Sequence, residues 1–484
     1  MASGVPSDTQ GSSDWNTDIL PFNQRLPFTP AAIAVPTTVP QVQGAVSCGV
    51  QFGYKINAKG GGHSYASHSL GGENGHLVIE LDRMYSVTLN STTNVATVQA
   101  GARLGHVLTQ LDSQGKRAFS TGTCPGVGVS GHALHGGYGF SSRKYGLATD
   151  WIIGAQIVLA NGTLIHTSAA EHPEVFWAIR GAGSNFGVVV SYEFNTFAQP
   201  SQVTYFTVTA NWNANNMQAN MLALENYTRY SMPAELTMRY TINPGGQNDF
   251  EGMYYGNKTG LQTALAPLFN NVNPKLSLGS STTTTFMNAF DYYAYTPATD
   301  PTYPYNDVST QALVSGADTH TNKKSQQENF YAKSLVVTHL NGSAAQAFVA
   351  YIFQQGPTNT RQWWLQLDLH GGANSAVTNG DFSTSSYAHR DKIFLMQFYD
   401  RVYGGSYPST GFSFLNGWVG NITSNLSPSD WGMYINYADS TLDRVTAQSV
   451  YYGVNLQRLQ ALKAVLDPNE VFYYPTGSLQ AVAS

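Results

Sequence analysis

Apolar and polar positions alternate with period two over many short runs of this chain, and the runs are interrupted by helical spacing and by dense glycine. Residues 31–36, 55–58, 77–81 and 97–100 read as strands. Residues 39–52 carry apolar positions at helical spacing, with Val42, Val46, Cys48 and Val50 inward. Residues 1–30 are polar and punctuated by proline, which suits an arm laid across the surface. Residues 103–115 read as a helix. Residues 151–159 and 164–167 form a hairpin around Asn161 and Gly162, 173–181 a helical turn, and 188–197 a strand. From Ser201 to about Leu426 strands recur (TYFTVTA, LTMRYTIN, FEGMYYG, FYAKSLVV, WWLQLDLHGG), with helices at 215–230 and 343–354. SSTTTT at 280–285 reads as a loop, and residues 442–466 as one long helix. Long runs of strands with few helices predict an α+β fold, in which an antiparallel sheet has helices on one face and leaves the other to a ligand. The pattern divides the chain into residues 1–198, 199–430 and a short segment, 431–484, that returns to the first part.

Two glycine-dense stretches stand out. KGGGHSYA follows the strand at 55–58 and places Gly60, Gly61 and Gly62 before His63, Ser64 and Tyr65. Successive backbone N–H groups after a strand form a concavity suited to phosphate. TGTCPGVGVSGHALHGGYG, residues 121–139, holds Gly122, Thr123, Cys124, Gly128, Gly131, His132, Gly136, Gly137 and Gly139. Gly126, Gly128 and Gly131 spell G-x-G-x-x-G. The dinucleotide fingerprint needs an apolar strand running into the first glycine, and here Pro125 precedes it. This loop is instead expected to wrap a flat or phosphate-bearing ligand. Gly187 and Val189 make a third close backbone approach. His63, His68 and His76 lack metal-ligand spacing and no carboxylate or cysteine sits in step with them, so no metal is expected.

Composition narrows the class. Charged residues make up 11% of 484, and the net charge of −5 supplies no basic field, so nucleic acid and anionic membrane are excluded as partners. No apolar run reaches transmembrane length. Asn90, Asn161, Asn226, Asn257, Asn341, Asn421 and Asn425 each begin an N-x-[S/T] triplet. So many predict a secreted, extracellular glycoprotein whose signal peptide is absent from this sequence. Two cysteines make no disulfide framework.

The two glycine loops with His63 and Cys124, together with GGENGHLVIELDRMYSV, DWIIGA, FWAIRGAGSNFGVV, QWWLQLDLHGG, YAHRD, YINYADS and LDPNEVF, resemble the vanillyl-alcohol-oxidase/berberine-bridge-enzyme family of FAD-linked oxidases. Within it the resemblance is to the fungal gluco-, chito- and xylo-oligosaccharide oxidases. It implies an FAD-binding domain over residues 1–198, a substrate-binding domain over 199–430, and FAD joined through its 8α carbon to His63 and through C6 to Cys124. It also implies oxidation of the anomeric hydroxyl at an oligosaccharide reducing end, with O2 as acceptor and hydrogen peroxide as product, by a monomer. Tyr437 in INYAD matches the family's catalytic tyrosine and Asp368 in LQLDLHGG its assisting carboxylate. A free phenol titrates near 10, so donors or positive charge near Tyr437 would have to lower it. Trp364, Gln366 and Asp368 share one strand face by alternation, and Tyr65, Arg239, Thr241 and Gln397 are further sugar contacts. Glucooligosaccharide relatives carry glutamate at the position of Thr241, which opens a preference for xylo-oligosaccharides. His135 stands where relatives often have a small residue. The same scaffold also serves oxidases or dehydrogenases of aromatic or alkaloid alcohols, and a non-enzymatic flavoprotein or sugar-binding module stays open as well.

Overall fold

In a computed structural model, residues 4–246, 248–294 and 328–482 are described. The short apolar runs of the first two hundred residues build two small sheets. In the first, β1 (Ser7–Asp8), β2 (Ala32–Ala34), β3 (Ile56–Lys59) and β4 (Leu77–Glu80) lie in the order β1-β2-β4-β3. β4 runs parallel to both β2 and β3 and is buried at every position, as a strand covered on both faces must be. In the second, β5 (Val87–Leu89), β6 (Ala96–Gln99), β8 (Ile152–Val158), β9 (Leu164–Ser168) and β10 (Val188–Phe194) lie in the order β5-β6-β10-β8-β9, all antiparallel. A small ribbon pairs β7 (Arg117–Ala118) with β11 (Phe197–Ala198).

The rest is one eight-stranded sheet: β12 (Val203–Thr209), β13 (Leu236–Ile242), β14 (Asn248–Tyr254), β15 (Ser280–Thr284), β16 (Asn329–Val337), β17 (Gln362–Leu369), β18 (Phe394–Val402) and β19 (Trp431–Gly432), ordered β15-β12-β14-β13-β17-β18-β16-β19. All its pairings are antiparallel. β17 shows how the sheet sorts its side chains. Trp363, Leu365 and Leu367 are buried in the core, where Trp363 meets Trp418 of helix Ser409–Thr423 at 5.6 Å. Trp364, Gln366 and Asp368 point to the opposite face, into a cavity. After β19 the chain crosses back to the first sheet: Phe472 bridges Ile56, Asn57 Nδ2 donates to the Tyr473 carbonyl at 2.9 Å, and buried Lys463 donates to Asn185 and Phe472 carbonyls at 2.6 and 2.8 Å.

Several local expectations change. The stretch read as a loop at 280–285 contains the edge strand β15, paired along β12; its threonines favour extended backbone without any apolar alternation to reveal it. The single helix expected at 442–466 is two, Arg444–Tyr452 and Leu456–Leu466, broken at Gly453, whose φ is +46°. In helix Val39–Gln51 the buried stripe is Val42, Ala45, Val46 and Gly49; Val50 is exposed and Cys48 half-buried. Helices Lys258–Phe269, Phe286–Ala294 and Ser409–Thr423 add to the two expected. The N-terminal arm carries β1 and a helical turn at Trp15–Asp18, and it buries Trp15, Phe22 and Asn23, so it is structural rather than draped.

Candidate active site

A cavity of about 640 Å³ lies between the glycine loops and the open face of the large sheet. Its first wall is backbone at close quarters. A Cβ on Gly61 would stand 2.1 Å from the Gly128 nitrogen, and one on Gly128 would stand 2.2 Å from that of Gly61, so the two loops touch only because both positions lack a side chain. Buried Arg103 clamps them: its guanidinium donates to the Gly61 carbonyl at 2.8 Å and to the Gly126 carbonyl. Gly60, Gly61, Gly62, Ser64, Gly122, Thr123, Gly128, Gly131, His132, Gly139, Gly187 and Val189 line this side with His63 and Cys124. His63 stacks on Phe22 at 4.3 Å, and its Nε2 is sealed from solvent without a hydrogen-bond partner. Burial, with a smaller push from Arg103, lowers its pKa to about 3, so the imidazole is neutral with a lone pair available. Cys124 is half-buried and not in a disulfide. His135 also lines this wall, held by the Gly131 carbonyl at 3.0 Å and Ser184 Oγ at 2.9 Å.

Gly136 and Gly137 stand off the cavity. At φ +100° and +81° they bend the loop behind His132, packed on Tyr387 and on Ala148. Their glycine requirement comes from the turn, not from contact with a ligand in the cavity.

The second wall is set by strand register. Arg239 on β13 lies opposite Asp368 on β17, Thr241 opposite Gln366, and Gln366 opposite Gln397 on β18. Trp364 is opposite Tyr399 and stacks on it at 4.7 Å. The Arg239 guanidinium donates to Gln366 Oε1 at 3.3 Å and to Glu251 Oε1 at 2.6 Å. Gln397 Nε2 donates to Tyr65 Oη at 2.6 Å, and Tyr65 lies 5.7 Å from Tyr437, nearly parallel. Arg239, Thr241, Glu251, Trp364, Gln366, Asp368 and Gln397 of the sheet line the same cavity as His63 and Cys124. Tyr437 sits in a 3-10 turn, Ile435–Tyr437, that follows Tyr434, whose hydroxyl receives N–H groups from Gly137, Tyr138 and Asn436 at 2.9–3.1 Å.

The electrostatics of Tyr437 run against the sequence expectation. Burial first, then Asp368, Tyr65 and Tyr434, hold its phenol well above 10; Arg239 alone among the named influences pulls down. Tyr437 is thus a protonated phenol beside a buried carboxyl group. Sequence reading did not select Phe22, Tyr138, Asp249, Glu251, Glu328, Tyr399, Arg401 or Tyr434, which also line the cavity. Alternation places Asp249 and Glu251 on one face of β14, but only the register with Arg239 and Thr241 brings them to the site.

Comparison with known proteins matches residues 30–168 to the FAD binding domain family and residues 433–477 to the berberine and berberine-like family. The xylooligosaccharide oxidase of Thermothelomyces thermophilus is 49% identical over 476 residues, covering 97% of this chain and 91% of the relative. The chain belongs to the FAD-linked oxidases of the vanillyl-alcohol-oxidase/berberine-bridge-enzyme family. It is an FAD-dependent oxidoreductase of that family's oligosaccharide oxidase branch. The xylooligosaccharide oxidase from Myceliophthora thermophila C1, solved in complex with xylobiose, superimposes with a TM-score of 0.92 at 48% identity, over 99% of this chain and 98% of that one. The glucooligosaccharide oxidase from Acremonium strictum, whose FAD is 6-S-cysteinyl and 8α-N1-histidyl, gives 0.91 at 40% identity over 100% and 98%. The residues present here fit FAD: the paired glycine loops leave room for backbone contact, and the neutral imidazole of His63 lines the same wall as the Cys124 thiol. No helix among the described residues is long and apolar enough to cross a membrane.

Proposed function

We propose that this chain is a secreted oxidase that converts the anomeric C1 hydroxyl of oligosaccharide reducing ends, of xylo- or cello-oligosaccharides, to the lactone while O2 becomes hydrogen peroxide. One observation carries the reading: a single cavity has His63 and Cys124 on one wall and Trp364, Gln366, Gln397, Asp368 and Tyr437 on the other. In this reading His63 and Cys124 hold FAD by two covalent links, and the glycines of the 60–62 and 122–131 stretches lie against it. FAD, when bound, supplies the acceptor for the hydride that leaves C1 and returns the electrons to O2.

The chain's own residues handle the sugar and the proton. Trp364, held flat by Tyr399, offers an apolar plane to the C–H face of a pyranose. Gln366, Gln397 and Thr241 offer amide and hydroxyl groups to its hydroxyls. Tyr437 takes the proton of the anomeric hydroxyl as its own proton passes to Asp368, so no bare phenolate has to exist in an apolar pocket. The short side chain of Thr241 and the xylobiose bound by a 48% identical relative support xylo-oligosaccharides among the substrates. Polar groups along the whole sheet wall favour sugar over an aromatic alcohol. Asn90, Asn161, Asn226, Asn257, Asn341, Asn421 and Asn425 are all exposed, in keeping with secretion as a glycoprotein.

The test is peroxide release on a panel of xylo-, cello-, malto- and chito-oligomers. Release with xylobiose or cellobiose is expected, and silence across the panel would overturn the reading.

A further inference from the structure

The N-terminal arm brings an aromatic ring to His63. Buried Phe22 stacks on the imidazole with ring centroids 4.3 Å apart and 25° between the planes, and it lines the cavity. The backbone around it is fixed to the large sheet. The Glu328 N–H donates to the Phe22 carbonyl at 3.0 Å, and the Gln24 N–H donates to the Glu328 carbonyl at 2.8 Å, so the arm pairs with the chain where it enters β16. The ring of Phe330 on β16 meets that of Phe22 edge-on at 5.8 Å. Buried Asn23 reaches to the first glycine loop, donating from Nδ2 to the Tyr65 carbonyl at 2.7 Å. Three consecutive residues of the arm therefore join the large sheet to the loop that carries His63. No hydrogen bond at Nε2 helps to orient the imidazole. The Phe22 ring covers one of its faces, and a stacked ring cannot turn without giving up that contact.

We propose that Phe22 is a positioning residue for covalent flavin attachment, holding the imidazole of His63 in the orientation from which a ring nitrogen bonds to C8α of FAD. As that bond forms, a C8α–H bond breaks and the imidazole N–H is lost, so two protons leave. The two electrons released reduce the flavin, and O2 takes them up with two protons as hydrogen peroxide. This rests on the reading above in which His63 and Cys124 each carry one link to FAD.

The experiment counts each link separately. Covalent FAD is measured, in protein sampled through expression, as flavin retained on acid precipitation and as the mass of the peptides holding residues 63 and 124. In the Cys124→Ala background, where His63 is the sole link, adding Phe22→Leu should lower the linked fraction about 2-fold to 10-fold, and Phe22→Tyr, which keeps the ring, should restore it. In the His63→Ala background, adding Phe22→Leu should leave the Cys124 link unchanged. A loss of folding or of FAD binding lowers both links alike, so a loss confined to His63 is a result that a merely structural role does not give. Full His63 linkage with Phe22→Leu would overturn the proposal. So would an equal loss at both positions, which would assign Phe22 to the fold or to FAD binding, or a Phe22→Tyr variant as poorly linked as Phe22→Leu. If Cys124→Ala and His63→Ala each release all their flavin in acid before Phe22 is touched, the parent reading fails first and takes this one with it; failure confined to the Phe22 variants leaves the parent reading standing.

Discussion

Burial and a neighbouring carboxyl group both make Tyr437 a weaker acid, so its usefulness as a base depends on where its own proton can go. Two roles for Asp368 give opposite signs. If it acted only as a charge, Asp368→Asn would ease ionisation of Tyr437 and speed flavin reduction. If it receives the Tyr437 proton, the same change slows reduction, by about 100-fold to 1,000-fold. We expect slowing, read by anaerobic stopped-flow with xylobiose. Tyr437→Phe should cost a comparable or larger factor, about 100-fold to 10,000-fold, while the yellow colour persists. At the other wall, His63 presents a neutral lone pair and Cys124 a thiol on a different loop. His63→Ala and Cys124→Ala should each leave FAD bound through acid precipitation, and only the double change should release it. Colourless precipitate from either single variant would show that one residue alone carries the link.

The glycine loops set the spacing between these groups, and there the tolerance is small. At Gly61 and Gly128 the atoms an added Cβ would meet are backbone of the facing loop, which cannot swing aside as a side chain can. Gly128→Ala should therefore destabilise by about 1–3 kcal/mol and lower FAD incorporation, measured as Tm and as the ratio of flavin to protein absorbance. An alanine variant with normal flavin content would mean that the loops can part. This contact also shows what the sequence could and could not supply. Glycine density announced a close approach, and alternation placed Trp364, Gln366 and Asp368 on one face, because both follow from local geometry. The meeting of Gly61 with Gly128, or of Arg239 with Glu251, depends on which strands and loops end up adjacent, which no local pattern encodes. β15 stayed hidden because an edge strand of serine and threonine carries no apolar signal, and Phe22 because a polar arm gave no sign of reaching His63. The helix break at Gly453 was visible as a residue, but apolar spacing on both sides outweighed it.

Across the whole molecule, burial of histidine decides how stability responds to acid. His132, His370 and His389 have their pKa lowered to about 4 and His68 to about 3, each chiefly by burial. The folded state keeps them neutral, whereas in the unfolded chain they take up protons as pH falls through about 6.5. The unfolded state then binds more protons, and stability is lost as pH drops from about 6.5 toward 4. By pH 4.5 each such histidine accounts for roughly 2 kcal/mol. Three carboxyl groups oppose this. Glu80, paired with Lys59, is raised to about 7, and Asp18 and Asp291 to about 6, all mainly by burial. The folded state protonates these first, so each contributes stability below its folded pKa that is lost as pH rises through it. Four histidines outweigh three carboxyl groups of similar individual effect, and the net slope falls on the acid side. Tm of the flavin-loaded enzyme should therefore decline from pH 6.5 to 4.5, and His370→Gln, which removes a fully buried imidazole held by the Lys392 carbonyl at 3.0 Å, should make that decline shallower even if its Tm at pH 7 is lower. A Tm that is flat or rises over this interval would show that Glu80, Asp18 and Asp291 dominate, and that the histidines gain protons without unfolding.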